Sequence, residues 1–328
     1  MTDSIYHDSP SGGAWPVPQP ALSANEGESG TSREIAAIAR MATGYSIEIS
    51  PKEAIGSTAL GAWLPAGTEI YLPFVAKCDY ALVIDAARRL SRSGFRPVPH
   101  FAARNIPNRT WLQDTIAKLT ETAGVDRALI IGGDSDPALG PFKQSLDLLE
   151  TGLFDRYGID RIGLAAHPEG HASLSEDVVA ASLQAKNRFA ETYPASFFLV
   201  TQFCFSAPTV IAWEWAARAA GNRLPIRLGL PGCTTLAKLV KYSRLCGIGA
   251  SATLLRKQAG RVLSLAQHTS PAPLVREIAW QTLQDAETLF EGLHFFTFAA
   301  TERTTAWLNA VSTGAIELTP DAGFREIV

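Results

Sequence analysis

The chain has 328 residues, of which 46% are hydrophobic and 19% are charged, and its net charge is −3. This balance is typical of a globular protein with a large core, and the scattered lysines and arginines form no basic stripe for a nucleic-acid backbone. No run approaches about 18 apolar residues, the length that spans a membrane, and the N-terminus has no apolar export segment. We therefore expect a cytoplasmic protein that binds neither nucleic acid nor membrane.

The N-terminal segment differs in composition from the rest of the chain. Residues 1–31 are rich in Ser, Gly and Pro, so they bury too little apolar surface to offset the entropy of ordering, and we predict a disordered tail. A Ser or Thr cap then precedes apolar residues at helical spacing from Ile35 to Met41. The folded domain is therefore expected over residues 32–328.

Strand-like runs alternate with helix-like stretches through this domain. The run Ala128-Leu-Ile-Ile131 is apolar at consecutive positions, which indicates burial on both faces and hence a parallel sheet. Eight such units in one domain predict an α/β fold, a single (β/α)8 TIM barrel preceded by an N-terminal helix. The runs lie near residues 45–50, 69–75, 96–102, 127–133, 161–167, 197–203, 226–232 and 293–299.

Two further expectations concern topology. A doubly wound open sheet is the alternative fold, but Gly132-Gly-Asp-Ser-Asp136 does not match the G-x-G-x-x-G fingerprint of dinucleotide-binding sheets. The segment 250–292 is too long for one crossover helix. We predict an inserted helix at about 251–265, before the helix that begins near Pro273.

Polar side chains occur where the predicted strands end. In a TIM barrel these ends share one face, so groups distant in sequence converge there. Any one of them could be an ordinary helix cap, but the joint set indicates an active site. Glu48 lies between Ile47 and Ile49, where burial would raise the pKa of its carboxyl group toward the range of a general acid. The set comprises Glu48, His100, Asp134, His167, Glu169, His171 and Gln202.

The alternation His167-x-Glu169-x-His171 also invites a metal hypothesis, since an extended chain would place all three side chains on one side. The intervening Pro168 and Gly170 favour a bent loop instead, and no fourth ligand is evident nearby. We predict no metal here. A metal-assisted lyase or hydrolase on the same barrel remains an alternative function.

The order of the strand-end motifs resembles the methylenetetrahydrofolate reductase family. Gly-Asp follows one strand, Ala-Ala-His-Pro-Glu-Gly-His follows the next, and Val-Thr-Gln-Phe follows the third. The similarity covers about residues 36–310. No single motif is decisive, and the order of the motifs carries the resemblance. It extends to Glu48, to Pro99-His100 and to His294-Phe-Phe-Thr297.

The resemblance implies roles for individual residues. Glu48 matches the family acid that protonates the bridging nitrogen of the folate, which opens the five-membered ring to an iminium that accepts hydride. Asp134 matches a carboxylate near the pterin, and Gln202 matches an amide that binds a pterin edge. The family arginine that binds the folate tail is absent, and Arg303, one helical turn further on, is expected to bind the same carboxylate.

The resemblance also implies a flavin pocket supplied with hydride by NAD(P)H. The expected cofactor contacts are His100, Gly132, Gly133, His167, Glu169, His171 and Lys186. Four positions depart from the family pattern, which has an Arg, an acid, an Asn and an Arg where this chain has Gly132, Val179, Ser182 and Ala185. Arg104 or Arg109 would have to supply the missing charge. Because several charge-assisted contacts are lost, we predict that flavin adenine dinucleotide (FAD) binds weakly or not at all.

The leading hypothesis is an oxidoreductase of one-carbon metabolism. It interconverts 5,10-methylenetetrahydrofolate and 5-methyltetrahydrofolate, with NAD(P)H passing hydride directly to the folate. The alternatives are a folate-binding barrel without redox activity and the metal-assisted enzyme described above. A homo-oligomer is compatible with the sequence.

Overall fold

The computed structural model describes residues 30–74, 79–171, 173–245 and 269–327. Residues 1–29 of the predicted tail and the predicted inserted helix at 251–265 lie outside the described residues. The first helix, α1, spans Gly30–Ala42 and buries Ala37, Ile38 and Met41.

Eight parallel strands close into a barrel in chain order, as the sequence predicted. The last strand pairs with the first, with Ser46 opposite His294, so the open-sheet alternative is wrong. The strands are β1 Ser46–Glu48, β2 Glu69–Leu72, β3 Arg96–Ala102, β4 Arg127–Ile131, β5 Arg161–Ala166, β6 Ser196–Thr201, β7 Ile226–Pro231 and β8 Phe290–Phe296.

Helices lie between the strands, and several of them begin at a capping side chain. Asp79 and Asn108 each accept a hydrogen bond from a backbone amide in the first turn of their helices. A short antiparallel hairpin, β9 Ile316–Leu318 and β10 Phe324–Glu326, follows the last helix. The helices after α1 are α2 Pro51–Gly56, α3 Leu60–Trp63, α4 Tyr80–Arg92, α5 Arg109–Ala123, α6 Ser145–Leu149, α7 Leu153–Arg156, α8 Glu176–Ala190, α9 Ala207–Ala219, α10 Leu236–Leu245, α11 Ala272–Gln284 and α12 Thr301–Ser312. None of these described helices has the length and apolar character needed to cross a bilayer.

Successive residues of each strand face opposite sides of the barrel wall. Ile47 and Ile70 face outward and belong to the large core between strands and helices. Tyr71 and Leu129 belong instead to a separate interior cluster. The consecutive apolar residues that predicted a parallel sheet thus fill two different cores.

Charged side chains occupy the barrel interior near the start of the strands. The Glu69 carboxylate contacts the guanidinium groups of Arg127 and Arg227, and Arg161 lies 3.7 Å from the same carboxylate. The guanidinium carbons of Arg161 and Arg227 also lie 5.0 and 5.2 Å from the centre of the Phe198 ring. The Phe198 ring therefore packs against two of the guanidinium groups of the ion cluster.

The ion cluster generates a stability prediction. Glu69→Ala removes the carboxylate that three partly buried guanidinium groups share, although Arg127 keeps Asp126 and the other two keep Glu291. The free energy of unfolding should fall by about 1.5–3 kcal/mol, the scale of hydrogen bonds to charged groups. The matched control is Glu317→Ala, which removes the surface partner of Arg325 and should change stability by at most about 0.5 kcal/mol. Urea unfolding measures both. Equal losses in the two variants would contradict a structural role for the cluster.

Candidate active site at the barrel mouth

Glu48 is the last residue of β1, and its side chain is 18% exposed. The strand ends here because Ser50 caps α2 by accepting a hydrogen bond from the Glu53 amide. Burial raises the pKa of the Glu48 carboxyl group, and the nearby His100 offsets only part of that rise. The burial expected for Glu48 is thus present, but Ile47 and Ile49 belong to the outer core, so groups inside the barrel surround the carboxyl group instead.

Two histidines lie beside the Glu48 carboxyl group. Its Oε2 atom is 3.5 Å from Nε2 of His100 on β3 and 3.8 Å from Nε2 of His294 on β8. Burial lowers the pKa of His100 to about 4 and that of His294 to about 3. Both rings are therefore neutral near pH 7. The sequence assigned no role to His294, because its contact with Glu48 depends on the pairing of β1 with β8.

An aromatic cluster follows β6 and β8 next to these histidines. Phe203 lies 5.3 Å from Phe296 and 5.1 Å from Phe298, and Tyr242 stacks on Phe298 at 4.5 Å between ring centres. Phe296 also meets the His294 ring edge-on at 4.8 Å. This aromatic wall is the kind of surface on which a flat heterocycle packs. The sequence analysis missed it, although the aromatic residues that follow His294 were a signal.

The backbone after β8 is unusual. Phe298 and Ala299 have φ values of 48° and 56°, in the left-handed region that residues other than glycine rarely adopt. Strained backbone of this kind concentrates at functional sites. The turn leads directly into α12, whose first turn carries Arg303.

The chain turns sharply after β4 at Gly133. Gly133 has a φ of 87°, and an added Cβ would lie 3.0 Å from the Ala102 side chain, so glycine is needed here for backbone reasons. Asp134 is exposed beyond it, where its Oδ1 accepts a hydrogen bond of 3.4 Å from the Asn105 amide. The carboxylate is therefore oriented by a neighbour and remains accessible at the mouth.

The two arginines that could replace a lost flavin contact are already engaged. Arg104 donates to the Ser135 carbonyl at 2.7 Å and to the Asp136 carboxylate at 2.8 Å. Arg109 donates to the Thr151 carbonyl at 2.9 Å. Both guanidinium groups therefore already bind loop backbone or side-chain groups of the protein.

The β5 loop is tied to the β6 loop by Glu169. Its Oε1 accepts hydrogen bonds from the backbone amides of Phe205 and Ser206 at 2.7 and 2.8 Å. The rings of His167 and His171 meet edge-on at 5.0 Å between their centres, and burial lowers the pKa of both, that of His167 to about 3. Within the described residues, no group of three His, Cys, Asp or Glu side chains is arranged to hold a metal ion. This loop gives the metal-assisted alternative no support.

A cavity of about 1240 Å³ runs between α8 and α9 and reaches the β5 loop. Helix α8, which forms one wall of this cavity, packs loosely on the barrel. Lys186 is the only buried residue of the helix. The Lys186 ammonium donates to the Ala165 carbonyl at 2.6 Å, and burial lowers its pKa to about 8. Trp213 of α9 lines the opposite wall. We name this cavity the α8–α9 groove.

The residues of the groove do not fit the pyrophosphate of FAD. Val179 and Ser182, two of the four departures from the family pattern, line it. Lys186 is bound to a strand carbonyl, and the exposed Arg188 shares the groove with Glu176 and Glu191. Space for a dinucleotide is present, but buried cationic forks that would bind its phosphates are absent from this described part of the chain.

Gln202 and Arg303 lie at different places on the same face of the barrel. Gln202 follows β6, and its Oε1 accepts a hydrogen bond of 3.1 Å from the Phe203 amide. Arg303 is exposed and lines a smaller cavity of about 430 Å³ together with Lys238 and Trp63. The structure brings Glu48 and His100 into contact, places Asp134 and Gln202 on the rim, and leaves His167, His171 and Lys186 at the groove.

Comparison with known proteins establishes the fold alone. No protein-family profile matches the chain. An uncharacterized protein from Clostridium thermocellum that binds two copies of 5-methyl-5,6,7,8-tetrahydrofolic acid is similar over 86% of this chain and 99% of that one, with 12% identity and a TM-score of 0.55. Dihydropteroate synthase from Thermus thermophilus is similar over 81% and 92%, with 13% identity and a TM-score of 0.44. Tryptophan synthase from M. tuberculosis is similar over 86% and 95%, with 11% identity and a TM-score of 0.45.

The Glu169 contacts generate a prediction about loop stability. Glu169→Ala removes two hydrogen bonds to an ionised acceptor, each worth about 1.5–3 kcal/mol. Hydrogen exchange at the amides of Phe205 and Ser206 should therefore accelerate at least about tenfold. Glu176→Ala, which removes an exposed carboxylate of the same groove, serves as the control and should leave both amides unchanged. Unchanged exchange in Glu169→Ala would free Glu169 for the cofactor role that the sequence predicted.

Proposed function

We propose that the protein is an oxidoreductase that interconverts 5,10-methylenetetrahydrofolate and 5-methyltetrahydrofolate, with NAD(P)H as the hydride donor. The observation that carries the proposal is the buried carboxyl group of Glu48 at the base of an aromatic-walled barrel mouth. A carboxyl group whose pKa is raised by burial keeps its proton to higher pH than an exposed carboxyl group does, which favours its use as a general acid. The neighbouring imidazoles are neutral and do not replace it as acids.

In the proposed reaction, Glu48 donates its proton to the bridging nitrogen of methylenetetrahydrofolate. The bond between this nitrogen and the methylene carbon breaks, its electron pair stays on the nitrogen, and an iminium forms at the other nitrogen. Hydride from the nicotinamide adds to the iminium carbon and gives the methyl group. Solvent then returns a proton to Glu48.

The other predicted residues have roles that fit their positions. The Asp134 carboxylate at the β4 end would stabilise the positive charge of the iminium. Gln202 would bind an edge of the pterin, whose face would pack on the wall of Phe296 and Phe298. Arg303 would bind the carboxylate of the folate tail. The Clostridium thermocellum protein gives support, because it binds a methylated tetrahydrofolate on the same barrel fold.

Direct hydride transfer without a resident flavin is part of the proposal. A bound flavin must be held tightly, whereas a co-substrate needs only an affinity in the micromolar to millimolar range, which fewer phosphate contacts can supply. The α8–α9 groove has the volume for a nicotinamide dinucleotide, and His167 and His171 line it. The scarcity of cationic groups for phosphate in the groove therefore argues against tightly bound FAD more strongly than against NAD(P)H as a co-substrate.

The same groove favours one competing function. A folate-binding barrel without redox activity would need the mouth around Glu48 but no dinucleotide contacts, and the engaged Lys186 is consistent with that. Such a protein would bind folate and exchange no hydride.

The first functional prediction concerns the acid. Glu48→Gln should lower folate turnover by about 10²–10⁴, the usual scale for loss of a general acid, and leave folate affinity nearly unchanged. Single-turnover kinetics and equilibrium binding measure the two quantities. Glu121→Gln, which changes an exposed carboxylate on α5, should retain wild-type rates. A Glu48→Gln rate within fivefold of wild type would remove Glu48 from the mechanism.

The second functional prediction concerns the hydride donor. The purified protein should be colourless, and it should transfer deuteride from labelled NAD(P)H to methylenetetrahydrofolate without added flavin. Absorbance spectra and mass spectrometry of the folate product test this. Yellow protein that keeps near-stoichiometric flavin after dialysis would contradict the prediction. It would mean that other groups replace the lost contacts to FAD. Folate binding without deuteride transfer, with or without FAD, would favour the non-redox function.

A further inference from the structure

Three polar atoms face one another at the base of the mouth without hydrogen-bond partners. They are Oε2 of Glu48 and the Nε2 atoms of His100 and His294, and each is buried and unpartnered among the described residues. The separations of 3.5 and 3.8 Å from Glu48 are slightly too long for direct hydrogen bonds. A small rotation of the carboxyl group would bring it within bonding distance of either ring.

The ring of His294 is held on its other edge. Its Nδ1 lies 2.9 Å from Oγ of Ser46, and both side chains are fully inaccessible to solvent. The Tyr71 ring packs on the His294 ring at 4.4 Å and on the His100 ring at 5.9 Å. Hydrogen bonding and packing together fix the plane in which Nε2 of His294 points at Glu48.

We propose that His294, held by Ser46, is a positioning residue that orients the Glu48 carboxyl group and sets the pH at which it loses its proton, with His100 contributing from β3. A neutral imidazole can accept a hydrogen bond from the protonated acid and, as the other tautomer, donate one to the carboxylate. Ser46 can likewise donate to or accept from Nδ1, so it supports either tautomer. The kinetic consequence rests on the proposed reductase function, whereas the effect on proton affinity does not.

The direction of the effect follows from the groups around Glu48. The titratable side chains facing it are His100 from β3 and His294 from β8, with Tyr71 of β2 beyond them. Glu69 and Arg227 influence the His294 ring from the ion cluster. His100 lowers the pKa of the Glu48 carboxyl group by its electrostatic interaction, and a neutral imidazole at either position also acts as a hydrogen-bonding dipole. Removing one leaves the carboxylate less well solvated, which raises its pKa further.

The experiment is a titration of the full chain labelled with ¹³C at the glutamate carboxyl carbons. The Glu48 signal is identified by its loss in Glu48→Gln. His294→Phe should raise the Glu48 midpoint by about one pH unit, and Ser46→Ala should raise it by a smaller amount. His294→Gln, which restores an amide hydrogen-bonding group, should return the midpoint toward wild type. Ser243→Ala, at a second fully buried serine, is the matched control and should leave it unchanged.

A readout on the wild-type protein completes the test. The ¹⁵N resonances of His294 should change as Glu48 titrates, because the tautomer balance follows the proton on the carboxyl group. Unchanged Glu48 midpoints in His294→Phe and Ser46→Ala, or His294 resonances that ignore the Glu48 titration, would overturn the inference. If His294→Phe does not fold, Ser46→Ala and the wild-type resonances decide.

Kinetics separate this inference from the proposed function. If the protein is a reductase, the alkaline limb of its pH–rate profile should move to higher pH with the Glu48 midpoint, since the acid acts in its protonated form. Midpoints that shift in a protein without reductase activity would refute the proposed function and leave the positioning role intact. Reductase activity with unshifted midpoints would refute the positioning role alone.

Discussion

The alternation of side chains along each strand decides what the interior of the closed barrel contains. Along β2, Glu69 and Tyr71 face inward and Ile70 faces the outer core. With β1 paired to β8 in one register, Ser46 and His294 lie side by side, and Glu48 lies one step nearer the mouth. A slip of one residue would carry these polar groups into the apolar outer core, so burial of that core and placement of the site are set together.

Among the described residues, Glu48 and Glu69 are carboxyl groups of the barrel interior in opposite surroundings. Glu69 lies among the three guanidinium groups of Arg127, Arg161 and Arg227, which compensate a negative charge. Glu48 lies between two neutral imidazoles, where burial raises its pKa. The difference comes from the side chains around each group, since both are largely buried. At the end of the barrel where the strands begin, the surrounding side chains favour an ion-paired carboxylate. At the mouth, where the strands end, they favour a protonated carboxyl group.

The fold could be predicted from sequence because buried parallel strands leave a local signal, consecutive apolar residues ending in polar ones. Glu48 was recognisable for the same reason, as a carboxylate between two isoleucines. His294 was not, because its contact with Glu48 depends on a pairing between the first and last strands, 248 residues apart at Ser46. Glu169 and Lys186 show what packing adds: both lie in motifs that suggest ligand contacts, and each also makes hydrogen bonds to backbone groups of the fold. A sequence motif identifies residues of a suitable chemical type, and only the packed structure shows which groups those residues contact.

The departures from the flavin-binding pattern concentrate on the helix that contributes least to the core. Helix α8 carries Val179, Ser182 and Ala185, and Lys186 is its only residue classed as buried. Leu183, Phe189 and Ala190 of this helix pack against the core, whereas Val179, Ser182 and Ala185 are not part of that cluster. Side chains at these three positions can therefore change at little cost to folding. The side chains of Glu48, His100 and His294 have no such freedom, since strands and aromatic rings surround them. The barrel therefore restricts substitution tightly around the buried carboxyl group and leaves more room for substitution along the α8–α9 groove.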